Sequence, residues 1–302
     1  MEFSQDGIIP MFPLNDPDIV RQIYASDESL RLRHDIHDQY TVPKVDYVTW
    51  ALSCLRWRGD ETVLDVGCGP GKWYPVIRQQ LPLVTYYGLD LYKHMLDSHP
   101  ARRSLGVGDI QQLPFPDNCF DVVMANHMLF DVPDITRAIE ECRRVLKPEG
   151  VLLAATNSIS NMPEFQVLFR RAITLLAPPG TSHIQIPLPS SHLFTLESGT
   201  RYLSRQFYAV VRYDLPGALV FPSVDPVIAY LESTRAMREP QLPDGILWDD
   251  VMVIVREQIT RLLEHFGEIV INKLSGVLIG TDRGDFIREF LEYQEKANSK
   301  ER

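Results

Sequence analysis

The order of apolar and polar positions along the chain predicts alternating strands and helices in its middle third. Short apolar runs typical of buried strands recur between residues 62 and 156, and helix-like spacing separates several of them. The clearest helix is predicted over residues 134–146, where the apolar residues fall on one side. This alternation favours an α/β fold with a doubly wound, mostly parallel sheet.

The individual strands of this middle region can be placed from the same pattern. Each is a short run rich in apolar or β-branched residues, and a Lys-Pro-Glu-Gly turn precedes the last of them. The five predicted strands lie at about residues 62–66, 84–90, 104–109, 120–125 and 150–156.

The flanking segments are predicted to be mostly helical. Helices are expected at residues 16–25, 28–37, 44–57, 161–176, 195–206, 225–237, 248–266 and from 284 to about 297. A strand is expected over residues 207–214, and two further β segments are expected on either side of a break at residues 274–276. We therefore divide the chain into a helical cap (1–58), a core (59–156), remaining core elements with a helical lid insertion (157–266) and C-terminal strands with a helix (267–302).

The first strand of the core leads directly into a glycine-rich turn, ETVLDVGCGPG, over residues 61–71. Gly67, Gly69 and Gly71 allow a sharp turn and leave no Cβ between the backbone and a ligand. The segment that follows is predicted to be a helix, whose first N–H groups would face the same ligand. A dinucleotide fingerprint would need its third glycine at Lys72, so the spacing disfavours that type of site.

Acidic residues recur at the ends of three successive predicted strands. Asp65 precedes the glycine turn, Asp90 ends the second strand, and Asp109 ends the third with Ile110 beside it. Ligands of open α/β sheets bind at this edge, where an acid such as Asp90 can accept both hydroxyls of a ribose. Asp109 can accept from a base amino group, while Ile110 and Leu91 can cover the two ring faces.

The segment VLDVGCGPG closely resembles the first motif of class I S-adenosylmethionine (SAM) dependent methyltransferases. The later segments GDIQQLPFPDNCFDVVMANHMLFDVPD and RRVLKPEGVLLAATNS resemble the ubiquinone-biosynthesis and type-11 group of that class. The resemblance implies a Rossmann-like, seven-stranded sheet with helical lid insertions, and SAM as the cofactor. Asp131 departs from the group, because many relatives have His in the corresponding segment, and this leaves a base at that turn in question.

The resemblance also implies individual cofactor contacts. Asp65 and Gly67 correspond to contacts with the methionyl amino group, and Asp90 to the ribose contact. Asp109 and Ile110 correspond to the adenine contacts, and Asn126 to a backbone contact with the methionyl end.

Three residues are candidates for catalysis. His127 follows the fourth predicted strand beside the methyl-donor pocket, so it is the leading candidate for a general base if the acceptor must lose a proton. His37 and Tyr40 lie in a helix that resembles the substrate-covering lid of the group. His34, one turn earlier, is predicted to lie on a polar surface, and His183 and His192 are weaker base candidates.

Composition and charge limit the classes of partner that the protein can have. The net charge of −10 and the absence of a basic run argue against nucleic acid as a partner. The N-terminus lacks the charged-then-apolar order of a signal peptide, and no apolar stretch approaches ~18 residues, so we expect neither secretion nor membrane insertion. The four cysteines lack metal-type spacing and predict reduced thiols in a cytoplasmic protein without a metal.

These observations predict a SAM-dependent methyltransferase acting on a small, mostly apolar organic molecule at an oxygen, nitrogen or carbon atom. One alternative is a protein that keeps the SAM fold but transfers no methyl group, as a scaffold or a cyclisation catalyst. A second alternative is an NAD-dependent dehydrogenase, which the glycine spacing disfavours. The substrate and the oligomeric state are not indicated by the sequence.

Overall fold

A computed structural model describes residues 14–181, 184–285, 288 and 290–292 of the chain. His183 and most of the predicted C-terminal helix lie outside the described residues.

One mixed sheet forms the centre of the described part. Its strands are β1 Thr41–Val42, β2 Thr62–Val66, β3 Thr85–Asp90, β4 Leu105–Val107, β5 Phe120–Asn126, β6 Leu146–Asn157, β7 Ala209–Phe221 and β8 Ile269–Thr281. In space they follow the order β1-β7-β8-β6-β5-β2-β3-β4. Strands β2 to β6 pair in parallel, whereas β8 is antiparallel to both β6 and β7. The doubly wound, mostly parallel sheet is therefore confirmed.

The helices cover the faces of the sheet and one end of it. They are α1 Pro17–Ile23, α2 Glu28–Tyr40, α3 Tyr47–Ser53, α4 Tyr74–Gln80, α5 Lys93–Leu96, α6 Ile135–Val145, α7 Pro163–Leu176, α8 Leu196–Leu203, α9 Val224–Glu232, α10 Arg235–Arg238 and α11 Trp248–Phe266. Side chains of β2, β5 and β6 alternate between two buried clusters, one on each face of the sheet. A third cluster lies between α7, α9, α11 and the outer part of β7 and β8.

Several predicted boundaries were wrong. The sheet has eight strands in the described residues rather than seven, because the two-residue β1 pairs with the edge of β7. Helix α4 begins at Tyr74 rather than directly after Gly71, with Pro75 in its first turn, where proline is favoured. The helix expected over residues 225–237 is two helices, α9 and α10.

The break predicted in the last β segment was also wrong, because β8 runs continuously through Gly276. A Cβ on Gly276 would lie 2.3 Å from the carbonyl oxygen of Tyr213 in β7. The glycine therefore allows the two strands to approach closely and does not end the strand. Strand β7 likewise continues past its predicted end and through Pro216 and Gly217.

Candidate active site

A cleft opens at the carboxyl ends of β2, β3 and β5. Its volume is about 1120 Å³, including its mouth. The core contributes the glycine turn and the residues that follow the strand ends, and α1 and α2 contribute the opposite wall through Val20, Tyr24, Leu30 and His34. The structure thus brings the cofactor residues predicted from sequence, apart from Gly71, together on one cleft.

The glycine turn has the backbone conformation that its sequence predicts. Gly67, Gly69 and Gly71 have φ angles of +65°, +52° and +84°, in the region that favours glycine. A Cβ on Gly67 would lie 2.7 Å from the Cγ atom of Met128, and one on Gly71 would lie 2.6 Å from the ring of His99. The turn therefore depends on glycine both for its conformation and for its close contacts.

Asp90 supports this turn from the end of β3. Its Oδ2 atom accepts a hydrogen bond from the backbone N–H of Gly69, and its Oδ1 atom accepts one from the N–H of Tyr92, both at 2.9 Å. Each carboxylate oxygen can accept a second bond, so acceptor capacity remains for two ligand hydroxyls. Burial raises the pKa of Asp90, and these backbone bonds partly offset that effect.

Asp65 and Asn126 form a buried pair at the ends of β2 and β5. Asp65 accepts from the Tyr86 hydroxyl at 2.9 Å and from the Asn126 amide at 3.3 Å. Burial raises the pKa of Asp65 to about 7, against the effect of these two hydrogen bonds. The Asn126 Oδ1 atom is buried without a hydrogen-bond partner among the described residues. A carboxylate and an unpaired carbonyl oxygen side by side fit an ammonium group.

Asp109, Ile110 and Leu91 form the next part of the cleft wall. The Asp109 carboxylate accepts from the Gln111 backbone N–H at 2.8 Å and from the Gln111 side-chain amide at 3.0 and 3.1 Å. Ile110 is buried, whereas Leu91 is half exposed. Apolar side chains and a carboxylate thus lie side by side here, and their role as the adenine position stays a prediction.

His127 lines the cleft directly after β5. Its φ of +54° is unusual for a residue with a side chain, and its N–H donates to the Ala155 carbonyl at 2.9 Å. The imidazole lies 5.4 Å from the ring of Tyr47. Burial lowers the pKa of His127 to about 4, and the charges of Lys273 and Lys72 add to this effect. The ring is therefore neutral at pH 7 and weakly basic, and its role as a base stays a prediction.

The structure places the three candidate residues of α2, His34, His37 and Tyr40, in different surroundings. His34 was predicted to lie on a polar surface, which was wrong because it lines the cleft. His37 lies edge-on to Tyr230 at 5.8 Å, and its Nδ1 atom is buried without a partner among the described residues. Tyr40 packs on Phe221 at 4.9 Å. Neither His37 nor Tyr40 lines the cleft, and their predicted catalytic roles stay untested.

Hydrogen bonds hold the N-terminal segment against the core around the cleft. The Tyr24 hydroxyl donates to Asp131 at 2.6 Å, and the Asn15 amide donates to the Val132 carbonyl at 2.7 Å. His94 lies 2.6 Å from the Tyr24 carbonyl oxygen. Burial raises the pKa of Asp131 to about 6, opposed by the bond from Tyr24. Sequence reasoning missed Tyr24, because no local signal pairs it with a residue so distant in the chain.

Two further properties concern the described part of the chain. It contains no group of three or more His, Cys, Asp or Glu side chains that is arranged to hold a metal ion. None of its helices is both long and apolar enough to cross a membrane.

An α/β sheet with a glycine turn and acids at successive strand ends defines a nucleotide-type cofactor site. Residues 64–154 match a family described as a methyltransferase domain, of type 11. Residues 64–154 thus form a methyltransferase domain similar to the type-11 group of the class I enzymes, and this match implies SAM as the cofactor. The residues present fit SAM, since the Asp65–Asn126 pair suits its ammonium group and Asp90 retains acceptors for its ribose.

Curated relatives agree with this match. Demethylmenaquinone methyltransferase of Listeria welshimeri is 32% identical over 146 residues, which cover 44% of this chain and 61% of the relative. The Staphylococcus aureus enzyme of the same name is 32% identical over 122 residues, covering 38% of this chain and 51% of the relative. The chain thus spans less than two thirds of these relatives.

Among solved structures, the [4+2]-cyclase SpnF has a TM-score of 0.51 at 16% identity, covering 88% of this chain and 97% of its own. This likeness shows the shared fold.

Proposed function

We propose that the protein transfers a methyl group from SAM to a small, mostly apolar organic molecule. The observation that carries this proposal is the glycine turn held by Asp90, with the Asp65–Asn126 pair beside it. The Asp65–Asn126 pair suits the ammonium group of the cofactor and Asp90 suits its ribose, and both lie at one edge of the sheet.

The cofactor would supply an electrophilic methyl group, so the protein's task is largely alignment. Orientation of reacting groups contributes ~7–11 kcal/mol to such reactions. Asp65 and Asn126 would hold the methionyl end of the cofactor and Asp90 its ribose. The wall from α1 and α2 would exclude water above the cofactor. Residues 1–58 and 157–266 are proposed as the mobile cover. The lining that Val20, Tyr24 and Leu30 provide supports this proposal for the first of the two segments.

The names of the curated relatives suggest a first acceptor to test. Both are demethylmenaquinone methyltransferases, so a quinone-type ring in its reduced form is a reasonable starting compound. The acceptor atom is left open by this choice. We also propose a cytoplasmic location, supported by cysteines without disulfide-type spacing.

The decisive experiment measures S-adenosylhomocysteine released from SAM in the presence of a library of small aromatic and quinol acceptors. Methyl transfer predicts stoichiometric release together with a methylated product. A protein that binds SAM but releases no S-adenosylhomocysteine with any acceptor would be a scaffold or a cyclisation catalyst. Binding of NADH in place of SAM, measured by calorimetry, would contradict both.

A further inference from the structure

Five basic side chains converge beside the proposed methyl-transfer site from separate parts of the chain. Three of them line the cleft, and the other two meet at Thr41, whose hydroxyl accepts from Lys273 and donates to the carbonyl oxygen of His37. The five are His34, His37, Lys72, His127 and Lys273.

Lys273 is the unusual member of this basic cluster. It lies in β8 opposite Gly217 of β7, and its Nζ atom donates to the Thr41 hydroxyl at 3.2 Å. No carboxylate of the described residues makes an ion pair with it. Burial and the charge of Lys72 lower the pKa of Lys273 to about 8, so it is mostly protonated at pH 7. A partly buried ammonium without a counter-ion is costly unless a ligand supplies the negative charge.

The acidic residues nearby do not neutralise the cluster. Asp38 is 68% exposed and pairs with Lys72 at 3.1 Å on its outer side. Asp65 and Asp90 are hydrogen-bonded within the cofactor site. The inner part of the cluster therefore carries one positive charge in excess, next to neutral imidazoles that can donate hydrogen bonds.

We infer that the methyl acceptor carries an anionic oxygen, a carboxylate or a phenolate, which Lys273 and Lys72 bind with help from His37. This inference rests on the proposed function and makes its acceptor more specific: an apolar ring bearing one negative charge. For a phenolate, the same charge stabilises the deprotonated oxygen, and the weakly basic His127 then has no proton to remove. The new bond forms from an acceptor lone pair to the methyl carbon as the carbon–sulfur bond breaks and its electrons return to sulfur.

Three matched probes test this inference in the presence of saturating S-adenosylhomocysteine. They are 4-nitrobenzoate, 4-nitrophenol with its ionised fraction read by absorbance, and the uncharged 4-nitrobenzamide. Nitroaryl compounds quench tryptophan, and Trp73 lines the cleft, so fluorescence reports binding. At least one anion is expected to bind ~10-fold or more tightly than the amide, consistent with a charged hydrogen bond. The anion that binds more tightly shows whether the acceptor group is a carboxylate or a phenolate.

The matched variants are Lys273→Met and Lys147→Met, the second at the far end of the sheet, where Lys147 pairs with Asp121. Lys273→Met is expected to lose the ~10-fold preference for the anion and to keep the affinity for the amide. Lys147→Met is expected to keep both the preference for the anion and the affinity for the amide. Affinity for S-adenosylhomocysteine, measured first in each variant, tests folding and the proposed function separately.

The pH dependence gives a second measurement. Because Lys273 must be protonated to bind an anion, affinity for 4-nitrobenzoate is expected to fall as the pH rises through about 8. The other groups facing Lys273 are Lys72, Asp38, His37 and His127. Equal affinity for all three probes, no binding of any probe, or an unchanged preference in Lys273→Met would overturn the inference.

Discussion

At the scale of single residues, the carboxylates of the cleft differ in the partners that the protein itself provides. Asp90 uses one lone pair of each oxygen to hold the backbone of Gly69 and Tyr92, and Asp65 accepts from two neighbouring side chains. Both are buried, so a ligand that donates hydrogen bonds to them gains from the low local dielectric. The consequences of removing these groups are therefore measurable as cofactor affinity.

Asp90→Ala is expected to weaken S-adenosylhomocysteine binding. Each lost hydrogen bond to the ionised carboxylate costs roughly 1.5–3 kcal/mol, and the glycine turn also loses its support. Asp90→Asn keeps one acceptor oxygen, so its affinity for S-adenosylhomocysteine is expected to lie between those of Asp90→Ala and the wild type. The control is Asp117→Ala, which removes a largely exposed carboxylate paired with Arg144 outside the cleft. Calorimetry that gave the same affinity for Asp90→Ala and the wild type would place the ribose site elsewhere.

His127→Ala separates two roles of the imidazole. If it accepts a proton from the acceptor, turnover should fall ~10²–10⁴-fold while cofactor affinity is kept. Because the pKa of His127 is about 4, the acid limb of the rate profile of the wild type should then lie near that value. His265→Ala, at the exposed end of α11, is the control. Loss of cofactor affinity with unchanged turnover at saturating SAM would show that the ring only packs against the methionyl group.

At the scale of elements, the N-terminal helices are joined to the core by buried apolar side chains such as Val20 and Ile36 and by polar contacts around the cleft. Helices α1 and α2 contribute one wall, and Tyr24–Asp131 is the short hydrogen bond that links this wall to the turn after β5. Polar contacts of this kind at the rim of a cleft can break and re-form as ligands enter. Residues 14–58 are therefore the segment whose mobility should respond to the cofactor.

Hydrogen exchange measures this response directly. Amide exchange in residues 14–58 and 157–266 is expected to slow when S-adenosylhomocysteine binds, because the cover closes on it. Equal protection with and without ligand would argue against a mobile cover.

Tyr24→Phe should shift the equilibrium between the open and closed forms of the cover toward the open form. It removes the hydroxyl that donates to Asp131, leaving a buried carboxylate without that partner, at a cost of roughly 1.5–3 kcal/mol. Exchange in α1 and α2 is then expected to be faster than in the wild type, and the KM for the acceptor higher. Tyr208→Phe, at a side chain that is 80% exposed, should change neither. Identical exchange in Tyr24→Phe and wild type would mean that other contacts hold the cover.

At the scale of the whole molecule, burial of titratable groups couples folding to pH. Burial lowers the pKa of five histidines, His34, His37, His99, His127 and His192. Burial raises the pKa of Asp65 and Asp131 to about 7 and about 6. The two sets act on stability in opposite directions over the same pH range.

The effect of the histidines on stability is expected to outweigh that of the two carboxylates. The unfolding temperature should therefore fall on acidification below about pH 6.5. In that range the unfolded chain binds more protons at these histidines than the native protein does, which favours unfolding. Asp65 and Asp131 oppose this, because their native forms bind protons at a higher pH than their unfolded forms.

Scanning calorimetry between about pH 7 and pH 5 measures how steeply the unfolding temperature changes with pH. His127→Asn should reduce this pH dependence, and the exposed His265→Asn should not. A melting temperature that rose on acidification would show that the carboxylates outweigh the histidines.

The sequence by itself determined the features that depend on neighbouring residues. The glycine turn, Asp90 at the end of β3 and Asn126 at the end of β5 follow from a local alternation of apolar runs and polar strand ends. In a parallel sheet these ends meet at one edge whatever the rest of the chain does, so the convergence of these residues on one cleft was predictable. Helix α11 has the predicted bounds because its apolar period is sustained over five turns.

Only the tertiary structure decided the features that depend on distant segments. Gly276 lies within β8 because the backbone of Tyr213 approaches it closely, whereas its local sequence resembles a turn. His34 faces the cleft, and Tyr40 does not, because the packing of α2 against α9 and β7 sets its rotation. Lys273 joins Lys72 and His127 only when β8 enters the sheet. A local pattern carries no information on such contacts, since they arise from the burial of surfaces that are far apart in the chain.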